Sequence, residues 1–200
     1  MTEANPRRAD HDIDPVFLDR WSPRAFTDET ISESALLGLF EAARWAPSAY
    51  NAQPWRFLYA RRGTEHWDRF LGLLLPFNQS WANQAAALVV LVSDPSFVPP
   101  GAEKPVTLRS HSLDAGAAWA YLALQATRAG WAVHGMAGFD VERATTELHV
   151  PAGHRVEIAI AIGRRGERSS LPEALQAREL PSGRKPVAAF AFEGGFAVPA

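Results

Sequence analysis

Two prolines seven residues apart, Pro47 and Pro54, constrain this chain more than any other feature. They punctuate the stretch Ala42 to Phe57, which reads A-A-R-W-A-P-S-A-Y-N-A-Q-P-W-R-F. Upstream, Leu36, Leu39, Phe40 and Ala43 recur at i, i+3, i+4 and i+7, so one apolar face predicts a helix from Glu33 to about Trp45 with Ser32 as its N-cap. Proline has no amide hydrogen and its ring crowds the preceding turn, so the helix ends at Pro47. Beyond Pro54, Trp55 to Ala60 reads as a strand. A helix that leaves through a polar turn and re-enters the core as a strand sets the amides of Asn51 and Gln53 at the edge of a buried cleft. A carboxamide carries both a donor and an acceptor and suits an imide-like edge, such as that of a flavin or a nucleobase. The same amides would equally cap the turn's own backbone, and this stretch alone favours that simpler reading.

Composition narrows the classes. At 200 residues, 47% hydrophobic and 21% charged, the chain suits one soluble domain with a sizeable core. A net charge of −2 gives no basic field for nucleic acid or an anionic membrane. The chain has no cysteine, which removes disulfides, thiolate metal sites, iron–sulfur clusters and cysteine nucleophiles together, so redox chemistry would have to come from a bound cofactor. Residues 1–12 are polar, are expected to form a flexible tail, and lack the apolar centre of about 7–15 residues that a signal peptide needs. No apolar run approaches the roughly 20 residues of a membrane span, so the cytoplasm is the expected location. His149 and His154 flank Pro151 and cannot share a helical face as a zinc pair would, and no metal site is expected. Dinucleotide-binding, phosphate-loop and hydrolase-elbow motifs are likewise missing.

The rest of the chain reads as mixed helices and four or five strands. Asp14 and Pro15 start a short helix to Arg20, which delivers Arg20, Trp21, Ser22 and Arg24 in close succession. Two guanidinium groups around a hydroxyl would grip a phosphate; taken alone they also fit solvated side chains beside a turn, the blander reading. A second helix is predicted around His66 to Leu75. The continuous apolar run Ala85 to Val92 predicts a strand buried on both faces. Asp94 to Pro105 holds four prolines and reads as a surface loop or lid. His111 to Ala129 is a long, alanine-rich helix ended by Gly130, and its small residues would let a partner backbone approach. Ala132 to Asp140 reads as a strand and glycine turn leading into a helix, Val156 to Gly163 as a strand, and Pro186 to Phe192 as an edge strand. His111 and His134 are candidate acids by type only, and each is read as a surface or packing residue.

Several of these stretches are familiar. P-S-A-Y-N-A-Q-P-W-R-F resembles the P-S-S-x-N-x-Q-P-W-x-F signature of the FMN-dependent nitroreductase family. Arg20-Trp21-Ser22-Pro23-Arg24-Ala25-Phe26 resembles the R-x-S-x-R-x-F that opens those proteins. The run S-L-D-A-G-x-A…L-x-L-Q-A…G-W resembles their central helix, and Arg184-Lys185-Pro186 their C-terminal R-K-P. The likeness covers about Phe17 to Phe192.

The resemblance implies an α+β, nitroreductase-like fold: a mostly antiparallel sheet flanked by helices, with a homodimer completing two flavin sites. Residues 13–200 would form the single domain, with 164–200 an extension reaching the partner subunit. Arg20, Ser22 and Arg24 would meet the phosphate and ribityl chain of FMN, with Arg24 reaching towards the N1–O2 edge. Asn51, assisted by Gln53, would meet the pyrimidine edge, and Met136, Ala137 and Gly138 would lie over the ring. Arg184, with Lys185, would close on the phosphate, part of the set coming from the other subunit. The sequence departs from the pattern at Trp21, where a basic residue or histidine is frequent, and at Ala137, where some members carry glutamate. The implied activity is ping-pong transfer from NADH or NADPH through flavin to a nitroaromatic, quinone or similar small-molecule acceptor. Two alternatives stay open: other flavin chemistry on the same fold (dehalogenation, ring dehydrogenation or flavin fragmentation), or a non-catalytic flavin-binding protein.

Overall fold

The structure, a computed structural model, describes residues 5–196; residues 1–4 of the expected tail and 197–200 of the expected extension lie outside the described residues. The helices in chain order are α1 (Val16–Asp19), α2 (Glu33–Arg44), α3 (Trp67–Gly72), α4 (Pro76–Ala82), α5 (His111–Arg128), α6 (Val141–Glu147) and α7 (Glu173–Gln176). The strands are β1 (Trp55–Arg61), β2 (Ala87–Ser93), β3 (Ser96–Phe97), β4 (Val106–Thr107), β5 (Ala132–Met136) and β6 (Arg155–Gly163).

The apolar run after Trp81 explains the architecture. All seven residues of β2 are buried, so both faces of that strand need cover. It sits inside a four-stranded sheet of order β1-β2-β6-β5, antiparallel at every pairing. Side chains alternate across a strand. Val89 and Leu91 of β2, with Ile160 and Ile162 of β6, therefore pack against Leu36 and Leu39 of α2 and Ala118 and Leu122 of α5. On the opposite face Leu88, Val90 and Val92 join Ala159 and Ala161 under Trp67 and Phe70 of α3 and Trp81 of α4. The result is the expected α+β arrangement, an antiparallel sheet between two helical layers. Each large side chain enclosed this way contributes about 1.5–3 kcal/mol of transfer free energy. Among the described residues no helix is long and apolar enough to cross a membrane.

The sequence-based elements need four amendments. The helix predicted to Leu75 ends at Gly72, and a second one, α4, follows it in a stretch for which no element was predicted. Pro76 at its first turn presets the helical φ, and Gln79 Nε2 and Asn78 Nδ2 donate back to the carbonyls of Leu74 and Gly138. The segment Asp94 to Pro105 is an excursion closed at its base, since Ser96–Phe97 pairs antiparallel with Val106–Thr107. Val187–Ala189 forms a 3-10 turn where an edge strand was expected: the Val187 amide donates to Asp10, and the Ala189 amide donates back to the Pro186 carbonyl. Finally, residues 5–12 lack regular structure but are tied down, because Arg7 donates to the carbonyls of Leu18, Arg20 and Ser182.

Candidate functional site

The short helix α1 ends at Arg20, whose extended backbone starts the loop to Phe26. That loop meets two further segments, the irregular N-terminal stretch around Arg7 and the C-terminal stretch from Arg178 to Arg184. Between them lies a cavity of about 340 Å³ lined by Arg7, Arg20, Trp21, Ser22, Arg24, His134, Arg178, Leu180, Ser182 and Arg184. Five of those ten residues are arginines and none is a carboxylate.

The electrostatic consequence is visible in the ionisation of the arginines. Burial pulls the Arg20 guanidinium below its ordinary pKa, and nearby Arg184 pulls it further. Burial likewise lowers Arg7, helped by Arg184 and Arg20. Arg24 is lowered by burial and by Arg178, against the opposing pull of Glu179. Cations assembled so closely, with a buried Arg24 Nε that finds no hydrogen-bond partner, form a donor set for a multiply charged oxyanion. A phosphomonoester fits that chemistry: its oxygens only accept, and guanidinium forks only donate. Ser22 adds a hydroxyl within 3.4 Å of the Arg20 guanidinium. Trp21 forms apolar wall, with the Arg165 guanidinium 5.1 Å over its ring.

Two further groups set the geometry of this wall. Glu179, 4% exposed, accepts hydrogen bonds from the backbone amides of Arg24 and Ala25 at 2.7 and 2.8 Å, so the C-terminal segment clamps the arginine loop. Its second oxygen lies 4.0 Å from the Arg24 guanidinium. His134, on β5, packs tilted against Trp81 with ring centroids 4.7 Å apart and holds the Pro23 carbonyl 3.0 Å from Nδ1. Burial, reinforced by Arg24 and Arg20, pushes its pKa down to about 4 against the upward pull of the Pro23 and Ser22 carbonyls.

Asn51 and Gln53 stand in a second feature and do not line the cavity. Tyr50, Asn51 and Gln53 adopt left-handed φ values of 55°, 56° and 48°. Non-glycine residues occupy that region at a cost of roughly 1–2 kcal/mol each, so the surroundings must hold the turn. Asp114, buried near the start of α5, accepts from the Ala49 amide and from Ser110 Oγ, each at 3.1 Å. Ser48 Oγ accepts from the Gln53 amide, and Gln53 Nε2 donates to the Asn51 carbonyl, so Gln53 does cap its own turn. Tyr50 stacks on Phe97 at 5.5 Å, which joins the turn to the excursion after β2.

Met136, Ala137 and Gly138 are not cavity-lining either, although the strand that ends at Met136 also carries His134. Met136 is 3% exposed, with its side chain in the core, and Ala137 is exposed. The Gly138 carbonyl accepts from the Leu75 amide and from Asn78 Nδ2, and a Cβ at Gly138 would stand 2.6 Å from Asn78 Nδ2. Within one chain, then, Arg20, Trp21, Ser22, Arg24 and Arg184 converge, while Asn51, Gln53 and the 136–138 turn lie outside the cavity lining.

Sequence reasoning missed Arg7, Arg178, Glu179 and Asp114, and it undervalued His134. Arg178 and Glu179 sit in a charged stretch that reads as solvated, and only the fold separates them, one side chain to the cavity and the other buried. The signal that could have found Asp114 was its position in the S-L-D-A-G run at the start of an otherwise apolar helix.

Comparison with known proteins places the chain in a family. The model of the nitroreductase family matches residues 18–164. A Mycolicibacterium smegmatis protein known as the uncharacterized 15.4 kDa protein in the ask 5′ region is 35% identical over 153 residues, 72% of this chain and 99% of its own length. A Thermus thermophilus NADH dehydrogenase is 28% identical over 180 residues, covering 76% of this chain and 86% of that protein. Among solved structures, an oxidoreductase containing FMN superposes with a TM-score of 0.91 at 45% identity, over 98% of this chain and 99% of the other. The chain belongs to the nitroreductase family of oxidoreductases.

Proposed function

We propose that this chain is an FMN-dependent oxidoreductase that draws on NADH or NADPH, with the FMN phosphate seated in the arginine cavity. The observation that carries the reading is the convergence of Arg7, Arg20, Arg24, Arg178 and Arg184 on one cavity whose wall holds no carboxylate. The similarity at 45% identity to an oxidoreductase containing FMN supports the choice of cofactor. Bound FMN would supply the redox chemistry, relaying electrons from the nicotinamide to a nitroaromatic, quinone or similar acceptor in a ping-pong sequence.

The protein's part is binding and electrostatics. Arg20, Arg184 and Ser22 hold the phosphate, and Arg24, clamped by Glu179, adds positive potential on the same side. Such potential favours the anionic reduced form of a flavin. The Asn51–Gln53 turn, held by Asp114, offers amide groups for the pyrimidine edge, and the 136–138 backbone offers a surface for the ring. Because these features lie apart in one chain, a homodimer in which each subunit completes its partner's site is part of the proposal. The exposed apolar residues Leu37, Trp45, Leu113 and Tyr121 on α2, its C-cap and α5 suit such an interface. Phe190 and Phe192, both exposed, suit a C-terminal extension that reaches across it.

The test compares FMN with riboflavin, which lacks the phosphate. Each lost hydrogen bond to a charged group costs about 1.5–3 kcal/mol, so Arg20→Ala with Arg184→Ala weakens FMN binding at least about a hundredfold. Riboflavin affinity stays as it was. A double variant that binds FMN as the parent does overturns the phosphate assignment.

A further inference from the structure

His134 lines the arginine cavity, yet as a neutral ring it cannot donate to an anion there. The Pro23 carbonyl lies 3.0 Å from Nδ1, and a carbonyl only accepts, so Nδ1 carries the ring hydrogen. Nε2 then holds a lone pair. A phosphate dianion also presents only lone pairs, so the two would face each other as acceptors. The groups around the ring decide how this resolves. Arg20 and Arg24 face it from the loop, and Arg7, Arg178 and Arg184 complete the cavity from the two terminal segments. Glu179, behind the loop, is committed to the amides of Arg24 and Ala25. Trp81 on α4 and the β6 neighbour Ala161 bring no charge. The ring therefore stays neutral chiefly through burial, with smaller help from Arg24 and Arg20 and against the upward pull of the Pro23 and Ser22 carbonyls, so its pKa falls to about 4. A phosphate dianion within hydrogen-bond reach of Nε2 is an opposite charge, which favours the protonated ring and opposes the burial that otherwise keeps it neutral.

Resting on the FMN reading, we propose that His134 is an additional ligand for the phosphate group: as a phosphomonoester dianion enters the cavity, Nε2 takes a proton from solvent and donates it in a hydrogen bond to a phosphate oxygen. One dianion and one proton are bound together, and the histidine changes from a packing residue into a third kind of contact beside guanidinium and hydroxyl. The assignment explains why an imidazole, and not another guanidinium, stands on β5 against Trp81: it accepts the neutral state when the cavity holds no anion. Cofactor affinity acquires a pH dependence that no arginine could confer.

The experiment is calorimetric titration of the full-length chain, freed of flavin, with FMN and with riboflavin. Phosphate-free buffers of different ionisation enthalpy report the protons taken up, for the parent and for His134→Gln, between pH 6 and 7.5. The phosphate's own titration is common to both proteins and cancels. With FMN the parent takes up more protons than the variant, the difference approaching one at the acid end. The ratio of their FMN dissociation constants widens as pH falls, by up to about tenfold per unit. Riboflavin shows no such difference. Equal proton counts with FMN tightly bound overturn the proposal alone; failure of the parent to bind FMN at any pH overturns the FMN reading and this proposal with it. Should His134→Gln not fold, nitrogen NMR of the parent imidazole decides instead: Nε2 becomes protonated on adding FMN, or it stays a bare acceptor and the proposal fails.

Discussion

Replacing Glu179 separates the clamp on the arginine loop from the charges that loop carries. The carboxylate is 4% exposed and accepts the amides of Arg24 and Ala25 at 2.7 and 2.8 Å. In Glu179→Ala both donors lose their acceptor beside Ala25, itself 1% exposed. A buried unsatisfied donor costs about 1–3 kcal/mol, so the pair would cost about 2–6. Against that, the second carboxylate oxygen is buried without a hydrogen-bond partner, and its removal recovers part of the loss. A net destabilisation of about 2–4 kcal/mol follows, or about 4–16 °C in melting temperature for a chain of this size. Glu179→Gln keeps an oxygen for both amides but sets an NH₂ group against the Arg24 guanidinium, which the carboxylate faces at 4.0 Å; about half the loss is expected. The ligand response should split differently. Alanine frees the loop and weakens FMN binding, whereas glutamine leaves the loop held in a more positive cavity, and FMN binds as well or better. Urea denaturation and FMN fluorescence titration read the two effects. If both variants lie within about 0.5 kcal/mol of the parent, the clamp does not hold the loop and the reasoning fails.

Three further perturbations probe other parts of the account. Asp114→Ala removes the acceptor for the Ala49 amide and Ser110 Oγ, so it should cost about 1–3 kcal/mol and speed hydrogen exchange at residues 48–53; unchanged exchange there would show that the left-handed turn holds itself. Gly138→Ala drives a Cβ to 2.6 Å from Asn78 Nδ2 and breaks its bond to the Gly138 carbonyl, so thermal denaturation should show a loss of about 1–2 kcal/mol. His134, with a folded pKa near 4 against 6.5 unfolded, binds fewer protons in the folded state, so its contribution is fully present above pH 6.5 and is lost as pH falls towards 4. Flavin-free parent protein should therefore lose about 3 kcal/mol more than His134→Gln over that window in pH-dependent urea melts, and parallel losses would contradict the buried neutral imidazole.

What could be read from the chain itself follows from where the information is local. The apolar face of α2, its Ser32 cap and its stop before Pro47 are all written within fifteen residues, and the structure has them. The eight apolar residues from Ala85 to Val92 announced a strand covered on both faces, because no alternation was left for a solvent side. By contrast α4 was hidden, because Asn78, Gln79 and Ser80 interrupt any apolar pattern; Asn78 and Gln79 find their partners at the Gly138 and Leu74 carbonyls outside the helix, and Ser80 at the Phe77 carbonyl within it. The site shows the same division. Arg20, Ser22 and Arg24 lie within five residues and stood out through the family resemblance, although the local pattern alone fitted solvated side chains; Arg7 joins them from 13 residues upstream and Arg178 from more than 150 residues downstream, through tertiary contact only. Glu179 was invisible for a sharper reason: charged residues are rarely buried, so a glutamate beside an arginine in a polar stretch reads as surface. Gln53 was legible in both of its possible roles, and its bond to the Asn51 carbonyl shows the capping role at work in this chain.

The claim on which everything else rests is that this protein holds a flavin which nicotinamide nucleotides reduce. Its most direct test is the absorption spectrum of the purified full-length protein, taken anaerobically before and after adding NADH and then NADPH. The account predicts a yellow protein, or one made yellow by added FMN, whose flavin bands bleach with one or both nucleotides and return when a quinone or nitroaromatic is supplied. A colourless protein that FMN does not reconstitute would contradict the site, and a yellow protein that neither nucleotide bleaches would contradict the proposed reductant.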